Sequence, residues 1–461
     1  MASITKRGKS FSLIYEYKDA EGVKRQKWET FPTKKQALAR KAEVEDQLNK
    51  GTFIVPASTT VREFLKDFVA VYGSKRWGLS AYEANTALIE NYINPILGDC
   101  NVQDVNRRVV DRFILELQNT APVSTKFRKA RTDCLPPCTI EKICKLLHCA
   151  FHQAVRWDMV PKNPFDDALL PKKEKKQRAI WTVDIIRQAL DNCSEGKLFI
   201  AINLAFACSL RMGEITGLTW DCVHISDVDI AQDNAHIVIN KELARVSQNA
   251  LKALGQKDVI LMFPRIINGN SATRLVLKKP KTESSNRTVW LPKTLAYLLR
   301  DWKEKQDKLK EFMGDEYTDY NLVLALETGR PCEDRVIGNQ FERLKKSAGL
   351  PDVVFHSLRH SSTTYKLKLN HGDIKATQGD TGHAQASMVM EVYAHILDEE
   401  RKINAQKFEV AFYASPDMRD VERSLNPPKE AEPSVDLQKL VAQLQENPAL
   451  AAQLKALLHT A

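Results

Sequence analysis

The sequence predicts a multidomain α+β protein: a small β-β-α module, then an all-α domain, then a mixed, mainly α domain with a β-hairpin or small sheet. Three patterns support this. Apolar residues alternate near the N-terminus, recur at helical spacing between residues 60 and 160, and show both patterns from there to about residue 412. A chain of 461 residues with 43% hydrophobic residues has room for about three domains with cores of their own.

The first module is predicted from its strand pattern and its helix signals. Alternate residues from Phe11 to Tyr17 are apolar, "DAEG" supplies a turn, and a second short strand follows. Thr33 is a candidate N-cap for the next helix, which we expect to end at Gly51. Residues 1–50 hold twelve Lys and Arg against seven Asp and Glu, which is half of the net charge of +10. A basic module of this size fits a DNA groove, and a small solvated domain is the alternative.

The second region is predicted to form four or five helices. Val61, Phe64, Leu65 and Phe68 recur at helical spacing, and later segments repeat that pattern. "PKNPFDD" and "PKKEKKQR" then form a linker that is rich in proline and lysine.

Several classes of protein are disfavoured by composition. No stretch of 18 apolar residues is present, and the N-terminus lacks a secretory signal, so we expect a cytoplasmic protein without a membrane span. The nine cysteines are expected to be free thiols. Cys144, His148 and Cys149 lie in one amphipathic helical stretch, which indicates core cysteines rather than a zinc site.

Four separated segments of the third region carry reactive side chains. They are "ACSLRMGEITGLTW", "KKPKTESSNRTVWLP", "FHSLRHSSTTY" and "TGHAQASMVMEVYAHIL". The second segment predicts a β-hairpin with a lysine at the end of one strand. The candidate site residues are Arg211, Glu214, Lys281, His356, Arg359, His383 and Tyr393.

Together these residue types suit phosphoryl transfer without a metal. Arginine forks fit phosphate oxygens, histidine can donate to phosphate or move protons, lysine can protonate a leaving oxygen, and tyrosine can act as nucleophile. The sequence offers no acidic pair for Mg²⁺. His356 and His360 have metal-ligand spacing, but Arg359 between them would repel a cation, and the usual glutamate is missing.

These four segments resemble the motifs of the tyrosine recombinase (phage integrase) family, and their order and spacing agree with it. "SLRMGE" is similar to the first arginine motif, "PKTESSNR" to the lysine hairpin and "HSLRH" to the HxxR box. "GH" followed ten residues later by Tyr393 resembles the final histidine and the nucleophile. The resemblance extends over residues 1–412.

The resemblance implies a domain layout and a set of partners. Residues 1–56 would be the arm-binding module, 57–170 the helical core-binding domain, 171–412 the catalytic domain and 413–461 a tail. The partners would be double-stranded DNA at core and arm sites and three further copies of the chain. An excisionase and host DNA-bending proteins also fit.

The resemblance also implies the reaction. Tyr393 would form a 3′-phosphotyrosyl bond, while Arg211, Arg359 and His383 hold the phosphate and Glu214 supports them. His356 would assist proton movement and Lys281 would protonate the leaving oxygen, with no cofactor, metal or ATP.

One spacing needs a break in the helix. Ten residues of a uniform helix would place His383 and Tyr393 on different faces. The resemblance implies that His383 begins one helix and Tyr393 belongs to a later one, so that both reach one phosphate.

The chain departs from the family pattern at several points. Ser209 stands where the first arginine motif often has glycine, and the stretch from Leu243 to Leu277 is longer than expected. That stretch could be an insertion that touches DNA or a neighbouring subunit. Lys278 and Lys279 compete with Lys281 for its role. Two short amphipathic helices are expected in the tail, to dock on a partner subunit or on their own chain.

Two other functions remain open at this stage. A DNA-binding regulator would keep the fold without the reaction, which the full set of candidate residues disfavours. A type IB topoisomerase would share the chemistry without site preference. The basic N-terminal module favours a recombinase that integrates and excises a mobile element, such as a phage or conjugative transposon.

Overall fold

The computed structural model describes residues 2–18, 23–50, 53, 58–124, 130, 132–172, 179–265, 272–281, 285–370, 373–381 and 449. The chain divides into two units, Met1–Val389 and Met390–Ala461, and the elements below belong to the first. No helix among the described residues has the length and apolar character needed to cross a bilayer. The predicted tail helices, and the predicted break between His383 and Tyr393, lie outside the described residues.

The N-terminal residues form a three-stranded antiparallel sheet followed by a helix. The elements are β1 (Ser3–Arg7), β2 (Ser10–Lys18), β3 (Lys24–Phe31) and α1 (Lys34–Asn49). β2 is the central strand, and Leu13, Tyr15 and Val44 are buried between sheet and helix. The Thr33 hydroxyl accepts a hydrogen bond from the backbone nitrogen of Gln36 at 3.4 Å, which confirms the predicted N-cap.

The structure contains one more strand here than the sequence predicted. β1 has five residues, four of them exposed, and it pairs only with β2. It therefore lacks the apolar alternation by which a half-buried strand is recognised in a sequence. The observed order is β-β-β-α.

The next region is helical, as predicted, and contains no strand among its described residues. Its helices are α2 (Val61–Phe68), α3 (Ser74–Arg76), α4 (Leu79–Leu88), α5 (Asn94–Leu97), α6 (Arg107–Gln118) and α7 (Pro137–Arg156). Short π-helical turns at Val69–Gly73 and Ile89–Ile93 join α2 to α3 and α4 to α5. One apolar core includes Phe64 and Phe151, and it also takes in Cys144, whose burial raises the thiol pKa to about 11.

The third region mixes helices with two small sheets. Its elements are α8 (Val183–Asp191), α9 (Gly196–Ala207), α10 (Met212–Thr216), β4 (Val223–His224), α11 (Asp227–Ala231), β5 (His236–Ile239), β6 (Glu242–Ser247), α12 (Gln248–Ala253), β7 (Val259–Met262), β8 (Thr273–Lys278), β9 (Arg287–Trp290), α13 (Lys293–Met313), α14 (Asp334–Ser347), α15 (Ser357–Leu369) and α16 (Ile374–Thr381). The nearly all-apolar α9 contacts α10, α13, α14 and α15, so it forms the centre of this region.

The predicted hairpin around Lys281 is wrong in its strand pairing. β8 pairs with β6 and β7, whereas β9 pairs with β5, so the strands on either side of Lys281 belong to different sheets. The two strands themselves lie where the sequence predicted them. Paired residues of β6 and β8 are 26 to 36 positions apart along the chain, and those of β5 and β9 are 48 to 54 apart, so these pairings are not local.

The described residues of the long stretch from Leu243 to Leu277 include most of the sheet with the strand order β6-β8-β7. β6, α12 and β8 pack their apolar residues on α4 of the helical region, through Val246, Ala250, Leu251 and Val276 against Leu79. The stretch therefore packs on the helical region of its own chain. Its expected contact with DNA or a neighbouring subunit stays a prediction.

Candidate active site

The turn between α9 and α10 presents the first candidate arginine. Ser209 has a φ of 54°, a left-handed conformation that reverses the chain after α9. Arg211 is the N-cap of α10, and its backbone nitrogen donates to Glu214 Oε2 at 2.9 Å. A Cβ on Gly217, just after α10, would collide with the backbone nitrogen of Leu243, so glycine there lets β6 lie against the short helix.

Glu214 is shared by two arginines. Its Oε1 accepts from Arg211 Nη1 at 2.7 Å and from Arg287 Nη1 at 3.2 Å, while Oε2 accepts from Arg287 Nη2 at 2.9 Å. The carboxylate is only 1% exposed. Burial acts to raise its pKa, but the hydrogen bonds and charges of Arg287 and Arg211 outweigh this, and the pKa of Glu214 is lowered. Glu214 is therefore an ionised anchor for two guanidinium groups.

Arg359 is the most deeply buried cation of the site. It lies in the first turn of α15 and is 2% exposed. Its Nη1 donates to the Ser209 carbonyl and its Nη2 to the carbonyl of Thr381, the last residue of α16. Burial, with a further contribution from the charge of Arg211, lowers the pKa of Arg359 to about 9. A bound anion beside this guanidinium would stabilise its charged form.

His356 and Arg359 differ in exposure although they are three residues apart. His356 is the N-cap of α15 and is exposed, and its ring lies edge-on to that of His360 with centroids 5.0 Å apart. The backbone nitrogen of Arg359 donates to the His356 carbonyl at 3.2 Å. α15 thus combines an accessible imidazole with a buried guanidinium.

The three candidate lysines at the end of β8 and just after it also differ. Lys278 pairs with Glu242 and its side chain is 13% exposed. Lys279 and Lys281 are exposed, and the backbone nitrogen of Lys279 donates to the Asp258 carbonyl at 2.9 Å. Lys278 is therefore the least accessible of the three to a DNA substrate.

The remaining two predicted residues, His383 and Tyr393, lie outside the described residues. Thr381, two positions before His383, is buried and is held by Arg359 through its carbonyl. Tyr365, the last residue of the segment "FHSLRHSSTTY", is a second tyrosine to test as nucleophile; it is partly buried on α15 with its ring stacked on Phe206, the centroids 5.7 Å apart.

Arg287, the last residue of "PKTESSNR", was not among the site residues predicted from the sequence. The sequence did contain a signal for Arg287. In a strand, residues two positions apart point to the same face, so Arg287 shares the inner face of β9 with the buried Val289. The hydrogen bond between the buried hydroxyls of Ser209 and Ser362, which are 2.5 Å apart, was also not predicted from the sequence. We call Arg211, Glu214, Arg287 and Arg359 the arginine cluster.

Known proteins resemble this chain in sequence. Residues 265–400 match the model of the phage integrase family, a range that includes Lys281, Arg287, His356 and Arg359. The chain is 26% identical over 275 residues to a tyrosine recombinase XerC-like protein of Caldanaerobacter subterraneus, which covers 57% of this chain and 63% of that protein. It is 21% identical over 331 residues to the ICEBs1 integrase of Bacillus subtilis, which covers 71% of this chain and 77% of that integrase.

The fold is similar to that of a solved transposon integrase. The Tn1549 transposon integrase, in complex with a circular intermediate DNA, superimposes with a TM-score of 0.56 at 18% identity. The match covers 76% of this chain and 99% of that one. A mixed α/β architecture with small sheets and many helices is common to both.

Proposed function

We propose that this chain is a site-specific DNA recombinase of the tyrosine recombinase type, which integrates and excises a mobile element; the match of residues 265–400 to the phage integrase family and the similarity to recombinases and integrases support this. The observation that carries the proposal is the position of Arg359. Its guanidinium joins the segment that bears Arg211 to the segment that leads to His383, so three motifs that are far apart in sequence converge on one buried cation. The integrases of ICEBs1 and of the Tn1549 transposon support the choice of a mobile element.

The chemistry follows from the charges. The phenol oxygen of Tyr393 attacks a phosphodiester, forms a 3′-phosphotyrosyl bond and releases a 5′-hydroxyl. Arg211 and Arg359, with His383, stabilise the charge that develops on the phosphoryl oxygens. Glu214 keeps Arg211 in place, and its own charge is balanced within the arginine cluster.

Proton transfer falls to the exposed members of the site. His356 assists proton movement at the nucleophile, and Lys281 protonates the leaving 5′-oxygen. Rejoining reverses these steps, because the energy of the broken bond is kept in the phosphotyrosine. The reaction as proposed needs neither ATP nor a metal.

The regions of the chain take different parts in this proposal. Residues 1–56 bind arm sites, 57–170 bind the core site, 171–412 carry the reaction, and 413–461 contact a neighbouring subunit or the same chain. Four protomers assemble on two sites and exchange strands in pairs. The exposed lysines and arginines of the N-terminal sheet, and Trp28 beside Arg7, support a DNA-facing role for the first segment.

The test is covalent capture of DNA. We define the site duplex as the shortest fragment from the flanks of the gene that the purified protein protects from nuclease digestion. The unaltered chain is expected to become attached to this duplex on a denaturing gel, while Tyr393→Phe binds it without attachment. Tyr365→Phe is the matched control and should still form the covalent complex.

Two outcomes would change the proposal. A covalent complex retained by Tyr393→Phe and lost by Tyr365→Phe would move the nucleophile to Tyr365. Relaxation of plasmids that lack the site as fast as plasmids that carry it would favour a topoisomerase.

A further inference from the structure

Arg287 buries a charge that the proposed reaction does not use. Its side chain is 7% exposed in β9, and besides Glu214 it donates from Nη1 to the Ser285 carbonyl at 3.1 Å. Its Nε is buried and finds no acceptor among the described residues. A buried ion pair adds little stability compared with an apolar pair of the same volume, so stability is a weak reason for this arrangement.

Both carboxylate oxygens of Glu214 accept hydrogen bonds from two arginines. Arg287 contacts both oxygens from the β9 side, and Arg211 contacts Oε1 from its side chain and Oε2 from its backbone. A carboxylate that is already held by one fork attracts a second guanidinium less strongly, because part of its charge is neutralised. Glu214 therefore orients Arg211, but because it shares its negative charge with Arg287, it does not fully neutralise the charge of Arg211.

The balance of charge in the cluster supports this interpretation. Among the described residues of the cluster, Arg211, Arg287 and Arg359 face the carboxylate of Glu214. If Arg287 were uncharged, Glu214 would pair with Arg211 alone and compete with a phosphate for it. With Arg287 present, the cluster keeps a positive excess on the side of Arg211, which is 34% exposed, and Arg359.

We propose that Arg287 is a positioning residue for the recombinase reaction: its fork holds Glu214 so that Glu214 aims Arg211 at the scissile phosphate without neutralising it. The inference rests on the proposed function. Arg287 acts through Glu214 and Arg211, and it does not itself touch the DNA.

The first test measures cleavage and binding separately. Arg287→Met should lower single-turnover cleavage of the site duplex, at saturating protein, by roughly 10- to 100-fold, because a small misplacement of a catalytic group has effects of this order. Its affinity for the duplex should change by less than about threefold, since one cation out of many is removed. Arg287→Lys keeps one charged interaction with Glu214 and should recover part of the rate.

The matched control is Arg300→Met. Arg300 also pairs with a carboxylate, Asp227, at 2.5 Å, but its side chain is 38% exposed. Cleavage by this variant should equal that of the unaltered chain. Thermal unfolding of all variants identifies any loss that comes from misfolding.

The second test is the pH profile, which a purely structural role would not move. Three charged groups face Glu214: Arg211 from its own turn, Arg287 from β9 and Arg359 from α15. Without Arg287, burial raises the pKa of Glu214 with less opposition, and its protonated form no longer holds Arg211. As the pH is lowered, cleavage by Arg287→Met should therefore begin to fall at a higher pH than cleavage by the unaltered chain.

The third test is a double-mutant cycle. If the two residues act as one unit, Glu214→Gln with Arg287→Met should cleave no more slowly than the worse single variant. Wild-type cleavage by a folded Arg287→Met, or a loss that follows its folded fraction with an unchanged pH profile, overturns the inference alone. Absence of cleavage by the unaltered chain overturns the proposed function and this inference with it.

Discussion

The arginine cluster and the N-terminal sheet are both positively charged, but they hold their charges in different ways. In the cluster, Arg287 and Arg359 are less than one-tenth exposed and donate to named carboxylate or carbonyl oxygens. In the sheet, Lys6, Lys9 and Lys24 are exposed side chains on and beside short strands.

The difference shows what each kind of charge can do. Buried, hydrogen-bonded guanidinium groups keep one geometry and are little affected by salt, as stabilisation of a single phosphate requires. Exposed lysines act through a field that salt screens, and they suit attraction of a DNA backbone without fixing one atom. Positive charge therefore suits a different task in each region: fixing one phosphate in the cluster, and attracting DNA in the sheet.

Lys281 is the expected exception to this contrast, because it is an exposed lysine whose loss should have the largest effect on cleavage. It is exposed, yet Lys281→Ala should slow cleavage of normal DNA by about 10²- to 10⁴-fold, because a 5′-alkoxide leaves slowly without a proton. On a site duplex whose bridging 5′-oxygen is replaced by sulfur, the variant should recover, since a thiolate needs no proton. The measurement is single-turnover formation of the covalent complex on both duplexes.

Two controls define the role of Lys281. Arg359→Ala should not be rescued by sulfur, because its loss is one of charge stabilisation. Lys279→Ala should cleave both duplexes at nearly the normal rate, although Lys279 is equally exposed. If Lys279→Ala were slow and rescued while Lys281→Ala stayed inactive, the general acid would be Lys279. If no lysine variant were rescued, His356 would be the leading alternative.

The second prediction sharpens the contrast by removing the exposed charges. Deletion of residues 1–55 should abolish binding to distal arm sites and leave cleavage of an isolated core site. It should also flatten the dependence of binding on salt, by roughly one in slope for each phosphate that the module neutralised. Affinity is measured by titration at several salt concentrations, with core-only DNA as the matched control. Equal affinity and equal salt slope on the full site would contradict an arm-binding role.

The third prediction concerns stability near the buried cluster and has the smallest effect. Ser209 combines a left-handed backbone with a hydrogen bond to Ser362. Ser209→Ala keeps the unfavourable backbone and loses the bond, whereas Ser209→Gly loses the bond but removes the backbone penalty. The alanine variant should therefore be less stable than the glycine variant by about 1 kcal/mol.

The measurement is urea unfolding of both variants, followed by tryptophan fluorescence. The glycine variant should lie within about 1 kcal/mol of the unaltered chain, since the missing bond and the relieved strain are of similar size. If the alanine variant were as stable as the glycine variant, the strain at Ser209 would play no part in the preference for glycine in this motif.

The sequence alone determined the features that depend on near neighbours. Apolar alternation predicted β2, helical spacing predicted the region that begins at Val61, and Thr33 predicted the start of α1. The order and spacing of the reactive motifs were likewise readable, because a motif is a short run of residues. These signals need only the periodicity of helices and strands and the hydrogen bonds at their ends.

Only the tertiary structure decided which distant residues meet. Glu214 and Arg287 are 73 residues apart, and Ser209 and Ser362 are 153 apart, so no local pattern could pair them. The strands on either side of Lys281 belong to different sheets because β8 pairs with β6 and β7, whereas β9 pairs with β5. Burial explains these pairings: a charge removed from water must find partners, and in this chain those partners come from different segments.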